Sequence, residues 1–223
     1  MLNFKTSLFL FCFVLICFHG SAQNPYFPKT LNMQQRADVM DTWLQERVET
    51  VLPGIMRRSG IDMWVIIARE YNEDPVIKTF LPATWLSARR TTMLVVYDPG
   101  EGKNLETFGI SRYNTGVMFK TQWNKETQPD QWKALAEMIT SKNPKKIGIN
   151  KSRTFALADG LSSTHYDQLR EVLPEKYKSR LVSAENVAVG WLETRTESEI
   201  LVYRNIVRMA HQIIAEGFSE KVI

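Results

Sequence analysis

The clearest indication of fold class is the segment Ile61-Asp62-Met63-Trp64-Val65-Ile66-Ile67-Ala68. It is a short, nearly continuous apolar run rich in β-branched residues, which is typical of a strand buried on both faces. A second run of this kind covers residues 91–97, and the polar, proline-containing stretch 69–86 between them predicts a long loop. The two runs therefore predict the centre of a buried β-sheet.

The flanking sequence predicts helices around this sheet. Apolar residues recur at helical spacing over 34–51, and Gly60 suits the position just past a helix end. The turn 98–102 predicts a hairpin whose second strand is 105–110. Further helices are predicted over 127–141, with Thr127 and Asp130 in capping-box positions, and over 163–173; short strands are predicted at 146–150 and 180–183. Strands that alternate with helices predict the α/β class, with a mixed β-sheet flanked by helices.

The first 22 residues have the composition of an export signal. Their only charged side chain is Lys5, which precedes an apolar run over residues 8–18 and a small-residue cleavage site after Ala22. This run is short of the roughly 20 apolar residues that span a membrane, so no stable membrane anchor is predicted. We therefore expect a signal peptide over 1–22 and a periplasmic or secreted, bacterial protein. The alternatives are an uncleaved anchor or a buried N-terminal helix.

Composition excludes several classes of protein and site. The 223 residues are 44% apolar and 23% charged with a net charge of +4, which excludes a disordered chain. No run of five like charges exists, so no nucleic-acid partner is predicted. Both cysteines lie within the predicted signal, which excludes thiol catalysis and thiolate metal sites in the rest of the chain. His165 and His211 have no partner at metal-site spacing; we expect His165 at the surface and His211 in ordinary packing or at the surface. We therefore predict no catalytic residue, no metal site and no cofactor in this chain.

The C-terminal stretch predicts a long helix. Thr196 and Glu199 form a capping box, in which the Thr196 hydroxyl accepts from the Glu199 amide and the Glu199 side chain reaches back. An apolar stripe at helical spacing follows, from Ile200 through Tyr203 to Phe218, and it reaches Ile223 without a capping signal. The pattern predicts that the chain is a fragment of a longer protein.

The passage 181–195 and the residues after it resemble the domain junction of the creatinase/prolidase/aminopeptidase P family, the pita-bread metallopeptidases. Arg195, Ser198, Glu199 and Ile200 match the junction pattern of that family, although its usual lysine is absent. The segments 60–65 and 146–150 similarly resemble two strands of the family's N-terminal domain. The resemblance covers residues 34–223.

The resemblance implies a division of the chain. Residues 23–192 would be a creatinase-like N-terminal α/β domain, and residues 193–223 the start of a truncated pita-bread catalytic domain, represented by its first helix. The closest resemblance is to exported Xaa-Pro aminopeptidases. The parent would then be a homo-oligomer that acts on peptide substrates with two divalent metals, Mn, Co or Zn. Those metals belong to the missing C-terminal catalytic domain, so this chain alone is not expected to hydrolyse peptides.

In the resembling enzymes the N-terminal domain overhangs the active site and helps to select the peptides that enter. Loops at strand ends are common places for binding groups, which makes Arg69, Trp85 and Arg89 the candidates for the substrate entrance. The alternative for these residues is loop packing and surface charge. Trp85 and Trp123, the two loop tryptophans, suit an aromatic interface as a second use. The alternative function for the whole chain is a stand-alone, non-catalytic, exported α/β binding domain.

Overall fold

A computed structural model describes residues 30–220, so the predicted signal peptide lies outside the described residues. Along the chain the helices and strands are, in order, α1 (Met33–Thr50), α2 (Leu52–Ser59), β1 (Met63–Arg69), β2 (Thr91–Tyr97), β3 (Glu106–Ile110), α3 (Gln131–Lys142), β4 (Ile147–Ile149), α4 (Ser163–Val172), α5 (Glu175–Lys178), β5 (Leu181–Ser183), α6 (Glu185–Glu193) and α7 (Glu197–Gly217). Short 3₁₀ turns lie at Ile77–Thr79 and Ala156–Ala158.

The five strands form one mixed sheet in the order β3-β2-β1-β4-β5. β1 pairs antiparallel with β2, from Met63 opposite Tyr97 to Arg69 opposite Thr91, and β2 pairs antiparallel with β3. The other two pairs, β1 with β4 and β4 with β5, are parallel. The α/β fold with a mixed sheet flanked by helices is therefore confirmed, with both predicted central strands in place.

Both faces of the sheet are covered by helices, which explains the unbroken apolar runs. On one face Trp64, Ile66 and Ala68 pack with residues of α1, α2 and α6. On the other face Met63, Val65 and Ile67 pack with residues of α3, α4 and α5. Successive strand residues point to opposite faces, so only a strand buried on both sides needs apolar residues at every position.

Helix α3 begins later than predicted. Its N-cap is Asp130, whose carboxylate accepts hydrogen bonds from the amides of Trp132 and Lys133. Thr127 instead belongs to a turn, in which its amide donates to the carbonyl of Asn124. The polar residues before Asp130 satisfy one another locally, which competes with a helical start.

Helix α6 lies within the passage interpreted as a junction, and no helix was predicted there. Its buried residues Val187, Ala188 and Trp191 face the core at helical spacing. Gly190 permits a close approach to α2, because a Cβ atom there would lie 2.9 Å from Arg58 Nη2 and 3.1 Å from Ile55 Cγ2. The segment is rich in valine and contains this glycine, so intrinsic helix propensity is weak and tertiary packing determines its structure.

The predicted capping box at Thr196 is present. Its hydroxyl accepts from the Glu199 amide at 3.3 Å, and its own amide donates to Glu199 Oε2 at 2.7 Å. The start of α7 is also bound to α1, since the Ser198 hydroxyl donates to Glu46 and Arg47 pairs with Glu199. These polar contacts therefore hold the start of α7 against α1.

The described residues belong to two compact units. Residues Leu31–Leu201 form one, which contains the sheet, and from Val202 the described chain belongs to the other. Several apolar side chains of α7 are more than half exposed, among them Tyr203, Ile206 and Ile213. Within residues 30–220 no helix combines the length and apolar character needed to cross a membrane.

Candidate functional site

A surface concavity lies beside the start of β2. It consists of two adjoining depressions that share Arg112 and Tyr113, and we call it the groove. The first depression has a volume of about 450 Å³ and the second about 380 Å³. The residues that give the groove its chemical character are Glu70, Trp85, Arg89, Arg90, Arg112 and Tyr113 in the first depression, and Trp123, Lys125 and Glu126 in the second.

Sheet register brings the lining of the first depression together. The end of β1, the start of β2 and the end of β3 lie at the same end of the strands, because Arg69 is opposite Thr91 and Met93 is opposite Ile110. The loop before β2 and the loop after β3 therefore emerge side by side. Arg89 comes from the first loop and Tyr113 from the second.

The guanidinium group of Arg89 lies on aromatic rings. Its Cζ is 4.5 Å from the centroid of the Trp85 ring and 5.8 Å from that of Tyr113. A cation–π contact attracts a guanidinium to an aromatic ring, and N–H donors that make no hydrogen bond remain available to a planar oxyanion. Arg89 is thus oriented without use of its hydrogen-bonding capacity.

Three arginines of the first depression lack anionic partners. Within residues 30–220 the side chains of Arg89, Arg90 and Arg112 make no ion pair and no hydrogen bond; the described ion pairs involve Arg47, Arg57, Lys125, Lys142 and Lys178. Glu70 is the one carboxylate in this depression, and its Oε2 accepts from the backbone amide of Arg90 at 3.2 Å. The first depression therefore carries a local excess of positive charge.

The backbone around these arginines is closely held. Arg90 has a left-handed φ of 55°, unusual for a residue with a side chain, and the Glu70 amide donates to its carbonyl at 2.8 Å. Glu73 Oε1 accepts from the amides of Tyr71 and Ala88 and so joins the two ends of the loop. Strain of this kind persists only where neighbouring contacts impose it.

A buried polar chain lies beneath the same loop. Trp64 Nε1 donates to Asn150 Oδ1 at 2.7 Å, and Asn150 Nδ2 donates to Asp74 Oδ2 at 2.8 Å. The other oxygen of Asp74 accepts from the amides of Val76 and Ile77 at 2.6 and 3.2 Å. Burial raises the pKa of Asp74 above its ordinary value, while these hydrogen bonds oppose the rise. These hydrogen bonds link the loop to Trp64 of β1 and to Asn150, the residue after β4.

The structure brings two of the three entrance candidates together. Trp85 and Arg89 line the first depression, whereas Arg69 does not. Arg69 has the same strand parity as Met63, Val65 and Ile67, so it faces the side of the sheet covered by α4. There its charge acts on His165.

His165 is not at the surface, contrary to the sequence-based expectation. Its side chain is buried, and its ring lies 5.6 Å from that of Trp132. Burial, with the charge of Arg69, lowers its pKa and favours the neutral imidazole. Its burial follows from the packing of α3 against α4, which the pattern of α4 alone does not reveal.

Arg112 and Tyr113 were not predicted as site residues. The sequence could have indicated them, because the predicted hairpin 91–97/105–110 places the residues after β3 beside those before β2.

No group of three or more His, Cys, Asp or Glu side chains that could hold a metal occurs in the part of the chain that the structure describes. The unpaired arginines and neighbouring aromatic rings of the groove give it the chemistry of a binding site for an anionic ligand that also carries an apolar group.

Comparison with known proteins gives a distant structural likeness. No protein-family model matches the chain, and no curated protein matches its sequence. Among solved structures, a Xaa-Pro dipeptidase from Bacillus anthracis is similar with a TM-score of 0.41 and 14% identity, over 74% of this chain and 38% of that protein. The chain therefore spans well under half the length of that protein. The likeness is too distant to assign an activity to this chain.

Proposed function

We propose that this chain is the N-terminal, non-catalytic portion of an exported, metal-dependent aminopeptidase that acts on Xaa-Pro peptides. In this proposal its work is to shape the substrate entrance and to provide contacts between subunits. The observation that carries it is the groove, in which Arg89 is oriented by Trp85 and lacks an anionic partner. Such a surface suits binding and selection of a ligand.

The groove supports a role at an entrance for two physical reasons. It is an open surface concavity in which aromatic side chains such as Trp85 and Tyr113 lie beside unpaired charges, a composition typical of peptide-binding surfaces. Its backbone is held by Glu73 and by the buried carboxylate of Asp74, so little ordering remains to oppose binding.

The junction supports the placement next to a further domain. Arg195, Ser198, Glu199 and Ile200 carry the resemblance to the pita-bread junction, and two of them are bound to α1. The apolar side chains exposed on α7, among them Tyr203, would pack against the catalytic domain in the proposed parent.

The proposal is tested by the coding sequence downstream of codon 223 and by the enzymology of its product. We expect a reading frame that continues and supplies two Asp, one His and two Glu with the order of a pita-bread metal site. The full product should release the N-terminal residue from a Xaa-Pro peptide and lose this activity in a chelator. A stop codon at that point, or a continuation without this ligand set, would contradict the proposal.

The second candidate is a stand-alone, non-catalytic α/β binding domain. One observation favours it, namely that every residue lining the groove lies within Leu31–Leu201. This candidate predicts a monodisperse, cooperatively unfolding monomer after signal removal, as measured by sedimentation velocity and urea titration. The first candidate predicts association or fraying along α7 in the same measurements.

A further inference from the structure

The groove has two compartments, and their chemistry differs. The first is dominated by the guanidinium groups of Arg89, Arg90 and Arg112. The second has Trp123 beside Asn124 and an ion pair of Lys125 with Glu126, with 3.9 Å between Lys125 Nζ and Glu126 Oε1. The first compartment therefore carries net positive charge. The second has the indole ring of Trp123, and its Lys125 and Glu126 charges cancel.

We propose that the groove binds an extended anionic peptide, with one carboxylate held by Arg89 together with Arg112 and an adjoining apolar side chain against Trp123. The inference deepens the proposed function and rests on it for the idea that the peptide is a substrate. The binding itself would be a property of this chain.

The geometry of Arg89 favours a carboxylate. The guanidinium lies over the Trp85 ring and its N–H groups make no hydrogen bond within residues 30–220, so they can form two parallel hydrogen bonds to a planar oxyanion. Lysine at the same place would offer a point charge without this paired geometry. A ligand carboxylate would also supply the missing counter-charge for Arg112, which has no ion pair within the described residues.

The position of Arg89 is set before any ligand arrives. The Arg89 amide donates to Thr92 Oγ1 at 3.3 Å, and the Thr92 hydroxyl donates to the Arg89 carbonyl at 3.1 Å. Thr92 and Ala88 are both buried, so the backbone on either side of Arg89 is fixed. Preorganisation of this kind improves affinity because fewer degrees of freedom are lost on binding.

Trp123 provides the second contact. Its indole Nε1 donates to the carbonyl of Gln128 at 2.7 Å, which holds the ring in one orientation. Tyr113 lies in the lining of both compartments, so a peptide that spans them would cross its ring. An extended backbone with a carboxylate at one end and an apolar side chain nearby matches this sequence of surfaces.

The test is isothermal titration of the full chain at low ionic strength with three acetylated peptides that share a Phe-Ala core. One ends in Ala with a free carboxylate, one in Glu amide, and one in Gln amide without any carboxylate. We expect at least one acidic peptide to bind about ten-fold or more tightly than the Gln amide, and its affinity to fall as salt is added. Tighter binding by the free-acid peptide would identify a terminal carboxylate, and tighter binding by the Glu amide a side-chain carboxylate.

Variants separate this site from general surface charge. Arg89→Gln should weaken the acidic peptides about ten-fold and Arg89→Lys less, while Trp123→Ala should weaken all three peptides by a similar factor. The matched control is Arg153→Gln, which removes an exposed arginine outside the groove. Circular dichroism melts of each variant establish that the fold is retained.

Several results would overturn the inference. One is equal affinity for the two acidic peptides and the Gln amide. Others are no binding of any peptide at millimolar concentration, and the same loss of affinity for Arg153→Gln as for Arg89→Gln. Displacement of the peptide by inorganic phosphate at equal affinity would also overturn it, because the groove would then be a simple anion site. If these results came with a complete metal-ligand set downstream of codon 223, the proposed function would stand and only the assignment of the ligand would fail.

Discussion

The two ends of β2 show two different uses of arginine. After the strand, Arg57 binds Asp98 through two nitrogens at 2.9 and 3.0 Å and also donates to the carbonyls of Gly100 and Lys103. Before the strand, the Arg89 guanidinium lies over the Trp85 ring and makes no ion pair within the described residues. An arginine whose donors are satisfied by the protein stabilises a turn, whereas one whose donors are free is available to a ligand.

The carboxylates at the two ends differ in the same way. Asp98 closes the β2–β3 turn and is bound by Arg57, while Asp74 closes the loop before β2 and is bound by amides alone. Because Asp74 is satisfied without an arginine, the loop can be rigid and still leave its guanidinium groups free. Changes that disturb either carboxylate should therefore affect stability, whereas a change at Arg89 should affect binding.

The largest effect is expected under the groove loop, from Gly160→Ala. A Cβ atom at this position would lie 2.3 Å from Asp74 Oδ2 and 2.9 Å from Asp74 Cα, so backbone must move. We expect a loss of about 3 kcal/mol in the free energy of unfolding, from urea titration. The matched control is Gly54→Ala in α2, where no atom lies within 4 Å and the change should be neutral or stabilising. Equal behaviour of the two variants would contradict the role given to Asp74.

A smaller but substantial effect is expected at the other end from Asp98→Ala. This change leaves Arg57 without its carboxylate and removes the acceptor of the Gly100 amide. We expect a loss of about 2 kcal/mol, measured by the same titration. Asp167→Ala on the exposed surface of α4 is the control, and it should change stability by less than about 0.5 kcal/mol. A loss of stability for Asp98→Ala no larger than that of this control would show that the Arg57–Asp98 pair does not contribute to stability.

The two carboxylates should have opposite effects on the pH dependence of stability. Burial alone would raise the pKa of Asp98, but hydrogen bonds from Arg57 and the Gly100 amide, with the charge of Arg57, hold that pKa below its ordinary value. Its stabilisation is therefore present above the unfolded pKa of about 3.9 and is lost as the pH falls through the lower folded value. The pKa of Asp74 is raised, so its contribution is present below the unfolded value and is lost as the pH rises through the folded value.

Asp98→Asn isolates the acid-sensitive contribution. Unfolding by urea between pH 2 and pH 7 should show a shallower acid loss of stability in this variant than in the wild-type chain. Unchanged slopes would mean that Asp98 titrates alike in the folded and unfolded states.

Much of this comparison could be predicted from the sequence, and the exceptions have physical causes. The strands at 63–69 and 91–97 are evident because burial on both faces requires apolar residues throughout. The capping box at Thr196 was also correct, since it depends on local spacing. Helix α6 was missed because packing of Trp191 and Gly190 against neighbouring elements, not propensity, makes it helical.

The candidate site was predicted in part for the same reason. Trp85 and Arg89 are close in sequence, so their loop suggested both. Arg112 is brought to them only by the pairing of β3 with β2, whereas Arg69, at the end of β1, does not line the groove. To predict contacts between residues on different strands, the pairing of the hairpin has to be considered together with the face to which each strand residue points.

The smallest effect on stability is expected from Arg89→Gln. The side chain is exposed and makes no hydrogen bond in the described part of the chain, so the free energy of unfolding should change by less than about 0.5 kcal/mol. Loss of the stacking contact with Trp85 is the one destabilising change. A loss as large as that of Asp98→Ala would place Arg89 among the structural arginines.

The most direct test of the distinction between satisfied and free arginines is a measurement of peptide affinity at constant stability. Wild-type and Arg89→Gln chains are titrated with the tighter-binding acidic peptide under conditions in which both have the same unfolding midpoint. We predict about a ten-fold increase in Kd for Arg89→Gln with that midpoint unchanged. The same Kd in both chains would contradict this distinction and would leave the groove without a role in binding.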